Sequence, residues 1–113
     1  MDKALSALGM AKKAGLLAVG GEDTLDAIRR RKAKLVITAS DTSEASISRA
    51  QSSAKSGRVE YMSVPYTQFE LGTTAGRGSP GIIAFLDKGL AEAFKKKLAS
   101  NHTNTDNTKE SDA

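Results

Sequence analysis

Residues 20–41 read GGEDTLDAIRRRKAKLVITASD, and the order of residue types within them decides the fold class. A glycine pair opens a helical stretch over residues 23–31, whose apolar positions are Leu25, Ala27 and Ile28. A basic run closes it. Residues 35–39, LVITA, then form a compact β-branched run, the composition of a strand buried on both faces. A helix feeding such a strand is the repeating unit of α/β architecture.

The flanking sequence continues the alternation. Upstream, Asp2 offers an N-cap to a helix with Leu5, Leu8 and Ala11 at three-residue spacing, and Gly15 is placed to end it. Residues 16–19 are a short apolar run and read as a strand. Downstream, Asp41, Thr42 and Ser43 offer caps to a third helix with Ile47, Ala50 and Ala54 on one stripe and Gly57 as its stop. A strand is expected over 60–64, and a short helix over 66–71 closed by Gly72. Residues 73–81, TTAGRGSPG, read as a loop, and 82–86 as the last strand. Asp87 caps a final helix in which Leu90, Phe94 and Leu98 repeat every four residues. The pattern argues for an α/β/α sandwich over residues 1–99, with a mostly parallel or mixed sheet of four strands. Residues 100–113 lack apolar residues until Ala113 and are expected to be a disordered polar tail.

Composition narrows the function classes. At 113 residues, 39% hydrophobic and 27% charged, the chain has the size and make-up of one globular domain. It has no cysteine, which excludes disulfides and thiolate chemistry. Its apolar runs are too short to span a bilayer, and residues 1–14 carry no signal-peptide pattern, so the expectation is a cytoplasmic protein without a membrane partner. Residues 1–99 hold sixteen Lys and Arg against ten Asp and Glu, whereas the last fourteen residues hold one against three. A basic excess of this size fits nucleic-acid binding among other roles.

Catalytic chemistry finds little footing. The one histidine, His102, lies in the polar tail, so no His-based acid–base pair or zinc set forms, and neither metal nor cofactor is expected. Gly76 and Gly78 make a lone GxG with no helix following, too little for a dinucleotide site. The expectation is a protein that is not an enzyme. Two clusters instead suggest binding. Glu22, Asp23 and Asp26 at a helix start either complement the helix dipole or accept hydrogen bonds from base edges. Arg29, Arg30 and Arg31, with Lys32 and Lys34, either solvate the helix end or contact phosphates. The glycine-rich loop around Arg77, with Gly78, Ser79 and Pro80, either is a plain connector or lets a backbone approach a ligand closely. Loops at one end of such a sheet lie side by side, so this loop and the turn at 20–23 would form one composite site.

Three stretches carry a family likeness: ALGMAKKAGLLAVGGEDTLDAI, RRRKAKLVITASDTSE and ELGTTAGRGSPGIIAFLDKGLA. Together, over about residues 4–95, they resemble the kink-turn-binding ribosomal-protein superfamily, and most of all its small bacterial YlxQ-type members. The resemblance implies a three-layer α/β/α sandwich with a mixed four-stranded sheet, and RNA binding without catalysis. It implies structured RNA as partner, ribosomal RNA or another kink-turn RNA, with the ribosome as an assembly to join and no DNA specificity. By position, the family's turn glycine falls on Gly20 or Gly21, its Asn–Glu pair on Glu22 and Asp23, and its RNA-contacting lysine on Asp26. The supporting loop falls on residues 75–81, and Arg29, Arg30 and Lys34 are the expected phosphate contacts. The alternative function is an adaptor on the same fold that has given up specific RNA recognition for a protein partner.

Overall fold

In this computed structural model residues 2–76 and 78–100 are described, together with the bare helical backbone that continues to residue 112. Arg77 lies outside the described residues, and so do the side chains of the expected polar tail beyond Ser100. The elements run α1 (Lys3–Lys13), β1 (Leu17–Val19), α2 (Gly21–Arg29), β2 (Leu35–Thr38), α3 (Glu44–Ser56), β3 (Glu60–Ser63), α4 (Gln68–Ala75), β4 (Ile82–Phe85) and α5 (Lys88–Asp112).

The sheet order is β1-β4-β2-β3. The last strand enters the middle, antiparallel to both β1 and β2, while β2 and β3 pair in parallel, so the sheet is mixed. β2 is buried along its whole length, as its β-branched run predicts. Alternation along the strands then sorts two cores. Val19, Leu35, Ile37, Ile83 and Phe85 face α1, α4 and α5. Ala18, Val36 and Ala84 face α2 and α3, which return Ala27, Ile28, Ala50 and Ala54. Large residues fill the first layer, where the Phe85 and Phe94 rings tilt against one another at 5.0 Å. Alanines fill the second, so α2 and α3 sit close to the sheet and to each other. The result is a three-layer α/β/α sandwich.

Helix starts follow the sequence. Asp2 Oδ1 accepts from the Ala4 and Leu5 N–H groups, and its Oδ2 accepts from the Tyr66 hydroxyl at 2.7 Å. One carboxylate thus caps α1 and pins the segment leading to α4. Ser43 caps α3, and Asp87 accepts from the Leu90 N–H in the first turn of α5.

Two boundaries differ from the sequence expectation. α2 begins at Gly21 and buries Thr24, Ala27 and Ile28, while Leu25 is only half-buried. α4 covers Gln68–Ala75, because Thr67 and Glu70 form a capping box, and it ends at left-handed Gly76. Gly72 is therefore a helix-interior residue, and the loop shrinks to residues 76–81. A Cβ on Gly72 would overlap the Gly78 carbonyl, so this glycine serves close approach and not helix termination. Gly57 stops α3 as expected, but it is not the left-handed residue of that ending. Its φ is −86°, and Arg58 takes the left-handed conformation with φ 57°.

Candidate nucleic-acid interface

Strand directions divide the functional residues between two ends of the sheet. β1, β2 and β3 finish, and β4 starts, at one end, so the 20–23 turn, the 39–43 segment and the 76–81 loop meet there. The Gly20 N–H donates to the Ile82 carbonyl at 2.8 Å. The Gly81 carbonyl accepts from the Ala39 N–H and from Thr42 Oγ1, both at 3.0 Å. Asp41 Oδ1 accepts from the Gln68 N–H at 2.9 Å, which fixes the start of α4 to the same end. The loop itself runs back along α4, with Gly78 and Pro80 against Gly72. The composite arrangement expected for the turn and the loop is the one found.

The turn owes its shape to Gly20, whose φ of 101° and ψ of 163° suit glycine alone, whereas Gly21 is already helical. Because Gly20 has no side chain, α2 starts without the side-chain cap that Asp2, Ser43 and Thr67 give α1, α3 and α4. Its first-turn N–H groups are thus left to other partners. Glu22 and Asp23 are exposed in that turn and complement the dipole. They line a shallow surface with Leu25, Asp26 and Arg29. Behind them Thr24 is 1% exposed, and its hydroxyl has no hydrogen-bond partner among the described residues. Phe69, 73% exposed in the first turn of α4, adds an apolar ring at this end of the sheet.

The basic residues lie elsewhere. Arg29 and Arg30 stand at the far end of α2, a helix of nine residues and so roughly 13 Å from the turn. Arg30 Nε is 3.0 Å from Asp26 Oδ2, and Arg29 is 3.9 Å from Asp26 Oδ1. Asp26, the position expected to meet RNA, is engaged within its own helix. The Lys34 N–H donates to the Phe85 carbonyl at 2.7 Å, placing Lys34 where β4 ends. Turn, loop and acids are therefore brought together; Arg29 borders the acids beside Asp26, and Arg30 and Lys34 are not part of that group.

Sequence reasoning missed three features. The Asp41, Thr42 and Gly81 contacts could not be read from local pattern, since they join segments 39 or more residues apart in the case of Thr42 and Gly81. The capping box was legible as Thr67-x-x-Glu70. Arg58, beside Arg31 at the opposite end, carries no motif at all. Among the described residues, no group of three or more His, Cys, Asp or Glu is placed to hold a metal ion, and no helix is long and apolar enough to cross a membrane.

One family model matches most of the chain. Residues 2–95 match the Ribosomal protein L7Ae/L30e/S12e/Gadd45 family. Among solved structures, a protein with unknown function from Bacillus halodurans C superposes with a TM-score of 0.80 at 25% identity, covering 88% of this chain and 99% of that one. A Giardia lamblia 15.5kD RNA binding protein superposes with a TM-score of 0.71 at 16% identity, covering 87% of this chain and 83% of that one. No curated protein sequence is similar enough to match.

Proposed function

Since the chain belongs to the Ribosomal protein L7Ae/L30e/S12e/Gadd45 family, we propose that it is a non-catalytic RNA-binding protein of the YlxQ type, acting on kink-turn-like RNA in association with the ribosome. The observation that carries this is the joining of the uncapped α2 start to the head of β4, directly after the 76–81 loop, through the Gly20 N–H and the Ile82 carbonyl. RNA exposes base edges where pairing is irregular. The N–H groups of a helix start without a side-chain cap donate to base acceptors, and the carboxylates of Glu22 and Asp23 accept from amino groups. Phe69 offers a ring on which a splayed base stacks. Gly78, Ser79 and Pro80 close over that base.

The adaptor reading draws on a specific feature too. The first turn of α2 carries exposed carboxylates, and Asp26 already pairs with Arg30 within the helix, so a basic protein partner would also fit. Titration separates the two. The protein is mixed with a kink-turn RNA and with a matched duplex at about 50 and 200 mM salt. Preference for the kink-turn at both salts, weakened by Arg77→Ala, supports the proposal. Equal binding to both RNAs, lost at the higher salt, reduces it to nonspecific electrostatics. Glu22→Asn with Asp26→Lys sharpens the test: strong kink-turn binding by that variant alone would show that the native turn does not recognise this RNA.

A further inference from the structure

The second site is built from helix endings. α1, α2 and α3 all finish in the same double hydrogen bond. The Gly15, Arg31 and Arg58 N–H groups donate to the carbonyls of Lys12, Ile28 and Lys55. The following N–H groups, of Leu16, Lys32 and Val59, donate to Ala11, Ala27 and Ala54. This ending needs a left-handed residue, and glycine is the cheapest. α1 uses Gly15 at φ 74°, whereas α2 and α3 use Arg31 at φ 61° and Arg58 at φ 57°. These arginines are the non-glycine residues of positive φ among the described residues, and both line one cleft of about 1000 Å³ between the ends of α2, α3 and α5. Lys34 and Lys88 line it as well.

The acids of the cleft offset only a minor part of this charge, because two carboxylates share one ammonium and leave one negative charge against four cations. Glu60 and Glu92 both hydrogen-bond or pair with Lys95, at 2.6 Å and 3.1 Å. Among the described residues, Arg31, Arg58, Lys34 and Lys88 pair with no carboxylate. The cleft has no aromatic lining on which a base would stack. Guanidinium groups fork onto phosphate oxygens, and lysines add point charge.

From this geometry we infer that the cleft between the C-terminal ends of α2 and α3 binds the phosphodiester backbone of RNA through Arg31 and Arg58, flanked by Lys34 and Lys88, without reading sequence. It is a second contact surface, roughly 13 Å from the turn along α2, and it stands whether or not the turn recognises a kink.

The test is Arg31→Gly with Arg58→Gly in the full chain. Glycine suits the left-handed backbone, so the variant removes both guanidinium groups and leaves the melting temperature within a few degrees of the parent. Binding to a plain RNA duplex is followed against salt, with a kink-turn RNA in parallel. The slope of log affinity against log salt is expected to fall by about two, near 0.9 for each phosphate that is no longer neutralised. An unchanged slope in the folded variant overturns the inference. Should the variant melt far below the parent, amide shifts of the native chain during duplex titration decide. Shifts at Arg31, Arg58 and Lys34 support the cleft, and shifts confined to residues 20–23 overturn it. Polyglutamate that competes with the duplex at equal charge also overturns it, in favour of an acidic protein partner. Loss of kink-turn preference with the slope change intact breaks the turn proposal alone.

Discussion

The two ends of the sheet solve opposite problems with the same few residue types. At the turn end, glycine stands where backbone meets backbone. Gly20 takes a φ of 101°, and Gly72 admits the Gly78 carbonyl against α4. At the other end, arginine stands where glycine would be cheaper. Holding an L-residue left-handed costs roughly 1–2 kcal/mol, and the chain accepts that cost at both Arg31 and Arg58. The turn end is organised by close approach and carries its own anions, Glu22 and Asp23. The far end is organised by charge. A protein that holds structured RNA at one end and its backbone at the other would need this division.

Substitution of the two packing glycines breaks the comparison most severely. Gly72→Ala is expected to cost about 3 kcal/mol, at the upper end for overpacking, because the atom it strikes is backbone. Alanine's better helix propensity returns at most about 1 kcal/mol. Chemical denaturation gives the energy, and loss of RNA binding in the folded fraction reports displacement of the 76–81 loop. A cost under about 1 kcal/mol would show that the loop does not rest on α4. Gly57→Ala is milder, about 1–2 kcal/mol, since its Cβ would lie 2.5 Å from Ile28 Cγ2, a side-chain methyl. It should push α2 from α3 and alter duplex binding, while kink-turn preference is retained.

The contrast also explains what the sequence can tell. The LVIT strand, the Asp2 and Ser43 caps and the Leu90–Phe94 spacing announce themselves locally, because each is set by residues within a turn or a strand. The strand order is not local. Nothing in residues 82–85 says that they enter between β1 and β2. Gly72 reads as a helix stop from sequence because its reason for being glycine is the Gly78 carbonyl, a tertiary contact. The arginine run looks continuous with the turn because it follows it by a few residues. A helix of nine residues carries that short separation to the opposite end of the molecule.

Thr24 sharpens the comparison from inside α2. Its hydroxyl is buried without a partner among the described residues, directly behind the proposed base-reading turn. Thr24→Val removes that polar atom at nearly constant volume and should stabilise the fold by about 1 kcal/mol. A melting temperature raised by about 4–8 °C checks it. RNA affinity should be unchanged, since the hydroxyl is out of solvent. A destabilised variant would mean that the hydroxyl finds a partner which holds the turn.

The smallest effect comes from the one residue that links the two ends. Asp26 sits midway along α2 and draws Arg30 to 3.0 Å and Arg29 to 3.9 Å. All three side chains are at least half exposed, so Asp26→Ala should cost no more than about 0.5 kcal/mol, the worth of an exposed helix pair. Its effect on RNA is more telling than its effect on stability. Removing this carboxylate releases two guanidinium groups toward the basic end, so duplex affinity should rise and its salt slope steepen by up to two phosphates. Kink-turn preference should then fall, because the nonspecific surface gains while the turn does not. If kink-turn binding alone strengthens, Asp26 acts at the turn, and the division of the molecule into a recognising end and a charge-holding end is misplaced by half a helix.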